Sequence, residues 1–277
     1  MKTILAWMLA IAILSAGCKK SPPPPAPAKP AAPAATVATP VQLTGTASIT
    51  GSISLAGATP TLAVITATDP ACAAMHVGGI VPDERYIVNP NGTLQNVFVR
   101  VKSGLPNGKY PVPTAPAVLN QKGCLYTPRV LGVQIGQDLH ILNSDGTLHN
   151  VHSFPTAPGN KPFNFAQITA GTIDKNTFKK SVTTTEIMLK IGCDIHPWMR
   201  AYIGVLDHPF FDTTGAAGTY RISGLPYGTY TLEAWHEKFG VVTTTLTVKD
   251  GETNTANLTF TPPPPTPSPS SSQQPNQ

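Results

Sequence analysis

Turn chemistry interrupts this chain at short intervals, and that punctuation constrains its fold more than any other feature. NPNG (89–92), PNG (106–108), NSDG (143–146) and PYG (226–228) place Gly, Asn and Pro where a backbone must reverse. Between the turns lie short alternating or β-branched runs. They are TASITGSISL (46–55), LQNVFVRV (94–101), VLGVQIGQDLHIL (130–142), EIMLKIG (186–192) and YTLEAW (230–235). Runs of this length and composition are strand signals, and no stretch carries a long helical period with caps. The expectation is an all-β protein, a sandwich or a barrel.

Not all of the 277 residues belong to that fold. Residues 1–17, MKTILAWMLAIAILSAG, join a positive Lys2 to an apolar run too short for a confident membrane span, the pattern of an export signal peptide. Ser15, Ala16 and Gly17 followed by Cys18 resemble the lipobox of bacterial lipoproteins, with Ser15 where that family usually carries Leu. The resemblance implies lipidation at Cys18 and an anchored, exported protein, periplasmic or at the cell surface. Ordinary cleavage to a soluble product is the alternative. Residues 18–43 then form the lipidation site and a Pro/Ala-rich, semi-rigid linker, and 262–277 a Pro/Ser-rich disordered tail.

The formal charge of +5 suggests nucleic acid only until its distribution is read. Lys2, Lys19, Lys20 and Lys29 fall in residues 1–40, which hold no acid; the remainder carries 15 basic and 14 acidic residues. A near-neutral core is a poor partner for a phosphate backbone, so no nucleic-acid partner is expected.

Beyond Cys18 three cysteines remain, Cys72, Cys124 and Cys193, and an odd count in an exported chain leaves one sulfur free, paired between chains or bound to metal. GCDIHPWM (192–199) makes Cys193 the best metal candidate, because His196 and Met199 follow in a C-x2-H-x2-M spacing. Cys72 and Cys124 can then form a disulfide worth roughly 4 kcal/mol by loop entropy. A competing reading is a metal site at Cys72-Ala-Ala-Met75-His76. Thiolate, imidazole and thioether together suit a soft metal, and two His, one Cys and a long axial Met describe a blue-copper site. The second histidine must come from another strand; GQDLHILNSDGTLHNVHSF (136–154) offers His149 and His152.

With these residues assembled, the chain resembles the cupredoxins, the plastocyanin/amicyanin family of type 1 copper proteins, over about residues 130–206. The carrying residues are Gly136-Gln137, Asn143-Ser144-Asp145, His149-Asn150-Val151, and Cys193 through His196 to Met199. The resemblance implies one type 1 copper held by His149, Cys193 and His196, with Met199 as weak axial ligand. It further implies that Asn150 holds the ligand loop and directs its N–H at the Cys193 sulfur. Pro197 stiffens that loop, Trp198 limits water access, and His196 is the ligand nearest solvent. His152 faces opposite to His149 in an extended strand and is a possible substitute ligand.

GTYRISGLPYGTYTLEAW (218–235) resembles the carboxypeptidase regulatory-like, transthyretin-type β-sandwich, and TGSISLAG (50–57) looks like the opening strand of such a module. The expected architecture is thus a cupredoxin-like Greek-key β-sandwich with an N-terminal extension at 44–207, and a second small sandwich at 208–261. A sandwich split by the metal region is the alternative. The function implied is exported electron transfer by Cu(II)/Cu(I) cycling. Partners would be a c-type cytochrome or a membrane dehydrogenase, with the membrane reached through the lipid anchor. Three absences argue against an enzyme. His236-Glu237 is followed by Gly240 rather than a second His, and there is no nucleophile elbow and no carboxylate pair. The alternatives are a cell-surface binding or structural lipoprotein with an empty or copper-buffering cupredoxin fold, and a copper carrier.

Overall fold

The computed structural model describes residues 45–59 and 61–262. The signal segment, Cys18, the linker up to 44 and the tail from 263 lie outside the described residues. Alternation sets the strands inside them. In Leu139–Asn143, Leu139, Ile141 and Asn143 turn inward while His140 and Leu142 are half-exposed, as a two-residue repeat requires. The expected run 130–142 divides into Val130–Gln134 and Leu139–Asn143, because Gly136 adopts a φ of +86° between them. Similarly, 94–101 begins as a strand only at Phe98, since Asn96 sits at a φ of +59°.

Two sheets make the first sandwich. One runs in the order Asn164–Gln167, His149–Phe154, Glu186–Gly192, Arg200–Leu206, Val130–Gln134; the other runs Thr172–Asp174, Leu139–Asn143, Ala117–Gln121, Tyr126–Thr127. Each contains a parallel pair among antiparallel ones, so the chain crosses between sheets rather than meandering. Leu119, Leu139 and Ile141 from one sheet meet Val133, Val151, Ile191 and Ile203 from the other in a single buried core. Helix is confined, among the described residues, to short pieces such as Pro70–Ala74 and Thr177–Ser181, and none is long and apolar enough to cross a membrane.

The second sandwich does not begin at residue 208. Its sheets are Thr219–Leu225 and Thr253–Thr255 flanking Ala47–Leu55, which also pairs with Leu258–Phe260, and Phe211–Thr213, Phe98–Ser103, Gly228–His236, Gly240–Val248. Two of these strands come from the segment expected to extend the first sandwich. Ile49, Val99 and Val101 share a core with Tyr220, Leu232 and Phe260. A single cut at 207/208 therefore does not separate the cores. The first sandwich is inserted between Phe98–Ser103 and Phe211–Thr213, with the 56–97 segment running between strands of the second. The Tyr230 hydroxyl donates to the Pro226 carbonyl at 2.8 Å, locking the PYG turn that the sequence marked.

Both sandwiches belong to one compact unit. Gly132 and Gly204 lie opposite one another in the parallel strand pair. A Cβ on Gly132 would stand 2.2 Å from the Phe211 ring, and one on Gly204 would stand 2.3 Å from the Phe98 ring. The glycine pair thus forms the flat bed onto which two aromatic rings of the second sandwich settle, their centroids 5.6 Å apart. Beside them, the Arg129 guanidinium grips the Glu237 carboxylate through two donors, both side chains being buried.

Gly204→Ala is expected to lower unfolding free energy by about 1–3 kcal/mol through overpacking against Phe98. Urea denaturation midpoints check this; an unchanged midpoint would mean that the ring yields freely.

Candidate metal centre

Three of the residues singled out from sequence converge. Strand His149–Phe154 begins with His149, Glu186–Gly192 ends one residue before Cys193, and the loop to Arg200–Leu206 carries His196 and Met199. That loop closes on itself: the Cys193 N–H donates to the Met199 carbonyl at 3.3 Å, and the Met199 N–H to the His196 carbonyl at 2.9 Å. The His149 Nδ1, His196 Nδ1 and Cys193 Sγ atoms face one another, with Nδ1 to Nδ1 at 3.0 Å and sulfur to His196 Nδ1 at 3.6 Å. His149, His196 and Met199 are 0% exposed and Cys193 5%, and Cys193 and Met199 share one core.

The ring of His149 is aimed by Asp145, whose Oδ2 accepts from His149 Nε2 at 2.9 Å. With the proton on Nε2, the lone pair of His149 lies on Nδ1 and points at His196. A carboxylate behind a histidine in this way fixes both tautomer and orientation. Asp145 is also held in place: it accepts from the Gly123 and Cys124 N–H groups at 2.7 and 2.8 Å. Sequence reasoning took Asp145 only as part of a turn, although its position four residues before His149 is a readable signal. The Asn150 side chain touches the loop, Oδ1 accepting from the Asp194 N–H at 2.6 Å.

His196 departs from the expectation of a solvent-near ligand. Its Nε2 lies 3.4 Å from Cys72 Sγ and 3.8 Å from Asp69 Oδ2, beneath the Pro70–Ala74 helix. Asp69 caps that helix, accepting from the Ala71 and Cys72 N–H groups at 2.9 and 3.0 Å. Those bonds, the one from Cys72 first, hold the Asp69 carboxyl below its ordinary value despite the opposing effect of burial. Burial, aided by the neighbouring His149, holds the His196 imidazole below its usual value, in the neutral form a ligand needs. No sequence signal indicated this cap.

The remaining candidates fall into place around the three. Cys72 and Cys124 form a disulfide with Cα atoms 5.6 Å apart, leaving Cys193 free and buried. That bridge excludes the competing site at Cys72, Met75 and His76; Met75 is 42% exposed, and His76 Nε2 contacts the Gly123 carbonyl at 2.8 Å. His152 stands outside the cluster and pairs with Asp194 at 2.9 Å. Pro197 is exposed. Trp198 is half-buried, its ring 5.2 Å from that of His196 and its Nε1–H donating to the Cys124 carbonyl at 3.0 Å.

This donor set fits a metal ion. Bonds of about 2.0–2.1 Å to nitrogen and about 2.3 Å to sulfur at tetrahedral angles separate N from N by roughly 3.3 Å and N from S by roughly 3.6 Å. The observed 3.0 and 3.6 Å lie within a few tenths of an ångström of those edges. With Nε2 of each ring turned to a carboxylate, two lone pairs face each other across 3.0 Å and repel unless a proton or a cation stands between them. Sulfur and imidazole without a carboxylate donor favour a soft metal over a hard one.

Residues 206–261 match the carboxypeptidase regulatory-like domain family model. No curated protein gives a significant sequence match. Among solved structures, the chain is similar to a copper-containing nitrite reductase from Thermus scotoductus, at 20% identity and TM-score 0.28. The match covers 37% of this chain and only 25% of that one. It is also similar to a reduced amicyanin variant (21% identity, 39% of this chain and 97% of that one, TM-score 0.28). A purple cupredoxin from Nitrosopumilus maritimus follows (20% identity, 32% and 98%, TM-score 0.26). Likeness at this level says nothing of function, which has to be read from the site.

Asp145→Asn is expected to weaken metal binding about 10–100-fold, because the His149 ring loses its orienting carboxylate. Competition against a chelator measures it; unaltered affinity would remove Asp145 from the site's support.

Proposed function

We propose that this chain is an exported one-electron carrier using a single copper held by His149, Cys193, His196 and Met199. The observation that carries the reading is the convergence of two imidazole nitrogens and one thiol sulfur in a buried cluster, with Asp145 and Asp69 turned to the far nitrogens of the two rings. Copper bound there supplies a one-electron change between Cu(II) and Cu(I).

The protein's share of the work is rigidity. Asp145 holds His149, the Pro70–Ala74 cap confines His196, and the closed 193–199 loop fixes Cys193 relative to Met199. Donors that cannot move make the cost of reorganising between oxidation states small. Burial of all four ligands keeps a substrate from reaching the metal, which argues for a carrier and against an oxidase. A copper-delivery protein would need donors that open easily, and this enclosure disfavours that role. A c-type cytochrome or a membrane dehydrogenase is the class of partner proposed, with Cys18 as the lipid-bearing residue that keeps the carrier at its membrane.

Addition of Cu(II) is expected to produce an intense thiolate-to-copper visible band and a narrow electron paramagnetic resonance hyperfine splitting, both absent in Cys193→Ser. Tight binding without the band would contradict a type 1 site, and absence of binding would contradict copper altogether.

A further inference from the structure

No ligand of the centre opens to solvent. The outward edge of His149 meets Asp145, and that of His196 meets Cys72 and Asp69. An electron must therefore leave through a residue that touches a ligand on one side and solvent on the other. Trp198 is such a residue: its ring lies against His196, its indole N–H is tied to Cys124, and it is half-exposed.

On its solvent side Trp198 lines a cleft of about 500 Å³ together with Pro197, Arg129, Arg200 and Lys238. Four parts of the chain build that cleft: the 63–85 segment, Arg129, the ligand loop with the start of the strand after it (197–202), and the 237–238 turn of the second sandwich. Its charges are unequally satisfied. Arg129 is neutralised by Glu237 and Arg85 by Asp83. Among the described residues, neither Arg200 nor Lys238 has an ion-pair partner. Glu84 also lines the cleft, one carboxylate against these two cations, and burial raises it above the ordinary range. The cleft mouth is cationic around an aromatic floor.

We propose that Trp198 is the electron port of the centre and that the cleft around it docks an acidic one-electron partner protein, with Arg200 and Lys238 steering the encounter. This rests on the copper reading above. The step moves one electron from the reduced centre to the oxidised partner through the indole, with no proton transferred and no bond broken. Opposite charges at a docking patch raise association rates and make them fall with salt. The second sandwich thereby gains a role, since it supplies Lys238 and the Glu237 that holds Arg129 in the cleft wall.

Two measurements on the full chain test this. The first titrates metal-free, nitrogen-15-labelled protein with hexacyanochromate(III), a paramagnetic, redox-inert trianion. The Trp198 indole N–H and the Arg200 and Lys238 amides are expected to broaden first; broadening centred on another face overturns the docking site. The second follows oxidation of the copper-loaded, reduced protein by hexacyanoferrate(III). Trp198→Leu is expected to slow it severalfold with the visible band intact, and Trp198→Phe to restore much of the rate. The pair Arg200→Glu and Lys238→Glu should slow it about tenfold or more at low salt and abolish the salt dependence. An unchanged rate in Trp198→Leu with the band intact overturns the port and leaves the copper reading standing. Absence of the band in the unmodified protein overturns the copper reading, and the port with it.

Discussion

The Asp145 carboxylate is the interaction on which the rest of the centre depends. One of its oxygens meets both the Nε2 of His149 and the N–H of Cys124, and the other accepts from Gly123. The same buried side chain therefore fixes a ligand ring and anchors the disulfide loop that presses on the second ligand ring. Removing water from such a carboxylate is costly unless its lone pairs are used, and here three donors use them. From Cys124 the covalent bridge leads to Cys72, and Cys72 Sγ contacts His196. Orientation thus passes from one histidine to the other through protein contacts alone.

That arrangement gives the peripheral parts of the chain a physical purpose. The 56–97 segment crosses from the second sandwich, lays the Pro70–Ala74 helix over His196, and returns to the second sandwich at Phe98–Ser103. The cap is consequently tethered to two sandwiches at once. Those sandwiches are joined by rings bedded on Gly132 and Gly204 and by the enclosed Arg129–Glu237 pair. A buried pair of this kind contributes little net stability, but losing one partner strands a charge at about 3–5 kcal/mol, so it enforces one relative placement.

What the sequence revealed was what nearest neighbours control. Two-residue alternation in Leu139–Asn143 marked a half-buried strand, and PYG marked the turn that Tyr230 locks. The C-x2-H-x2-M spacing put Cys193 and His196 on one loop, and the odd cysteine count left Cys72 and Cys124 to pair. What it hid were contacts set by which sheet edges meet. Cys72 lies 124 residues from His196, and nothing near Asp69 signals a cap over a ligand. TGSISLAG already pointed to Ala47–Leu55 as the opening strand of a split second sandwich, and its pairing with Thr219–Leu225 agrees; Phe98–Ser103 carried no such mark, and only its partner Gly228–His236 assigns it. Asp145 was within reach, four residues before His149 in a turn already noticed, and its role was missed because a turn explains an aspartate without further purpose.

The central claim is that the protein holds its donors in place through a change of oxidation state. Copper K-edge X-ray absorption fine structure on the oxidised and the reduced protein measures this directly. The account predicts two nitrogen scatterers and one short sulfur scatterer in both states, with only small changes in distance. Loss of a nitrogen or of the sulfur on reduction, or oxygen in place of sulfur when oxidised, would contradict it.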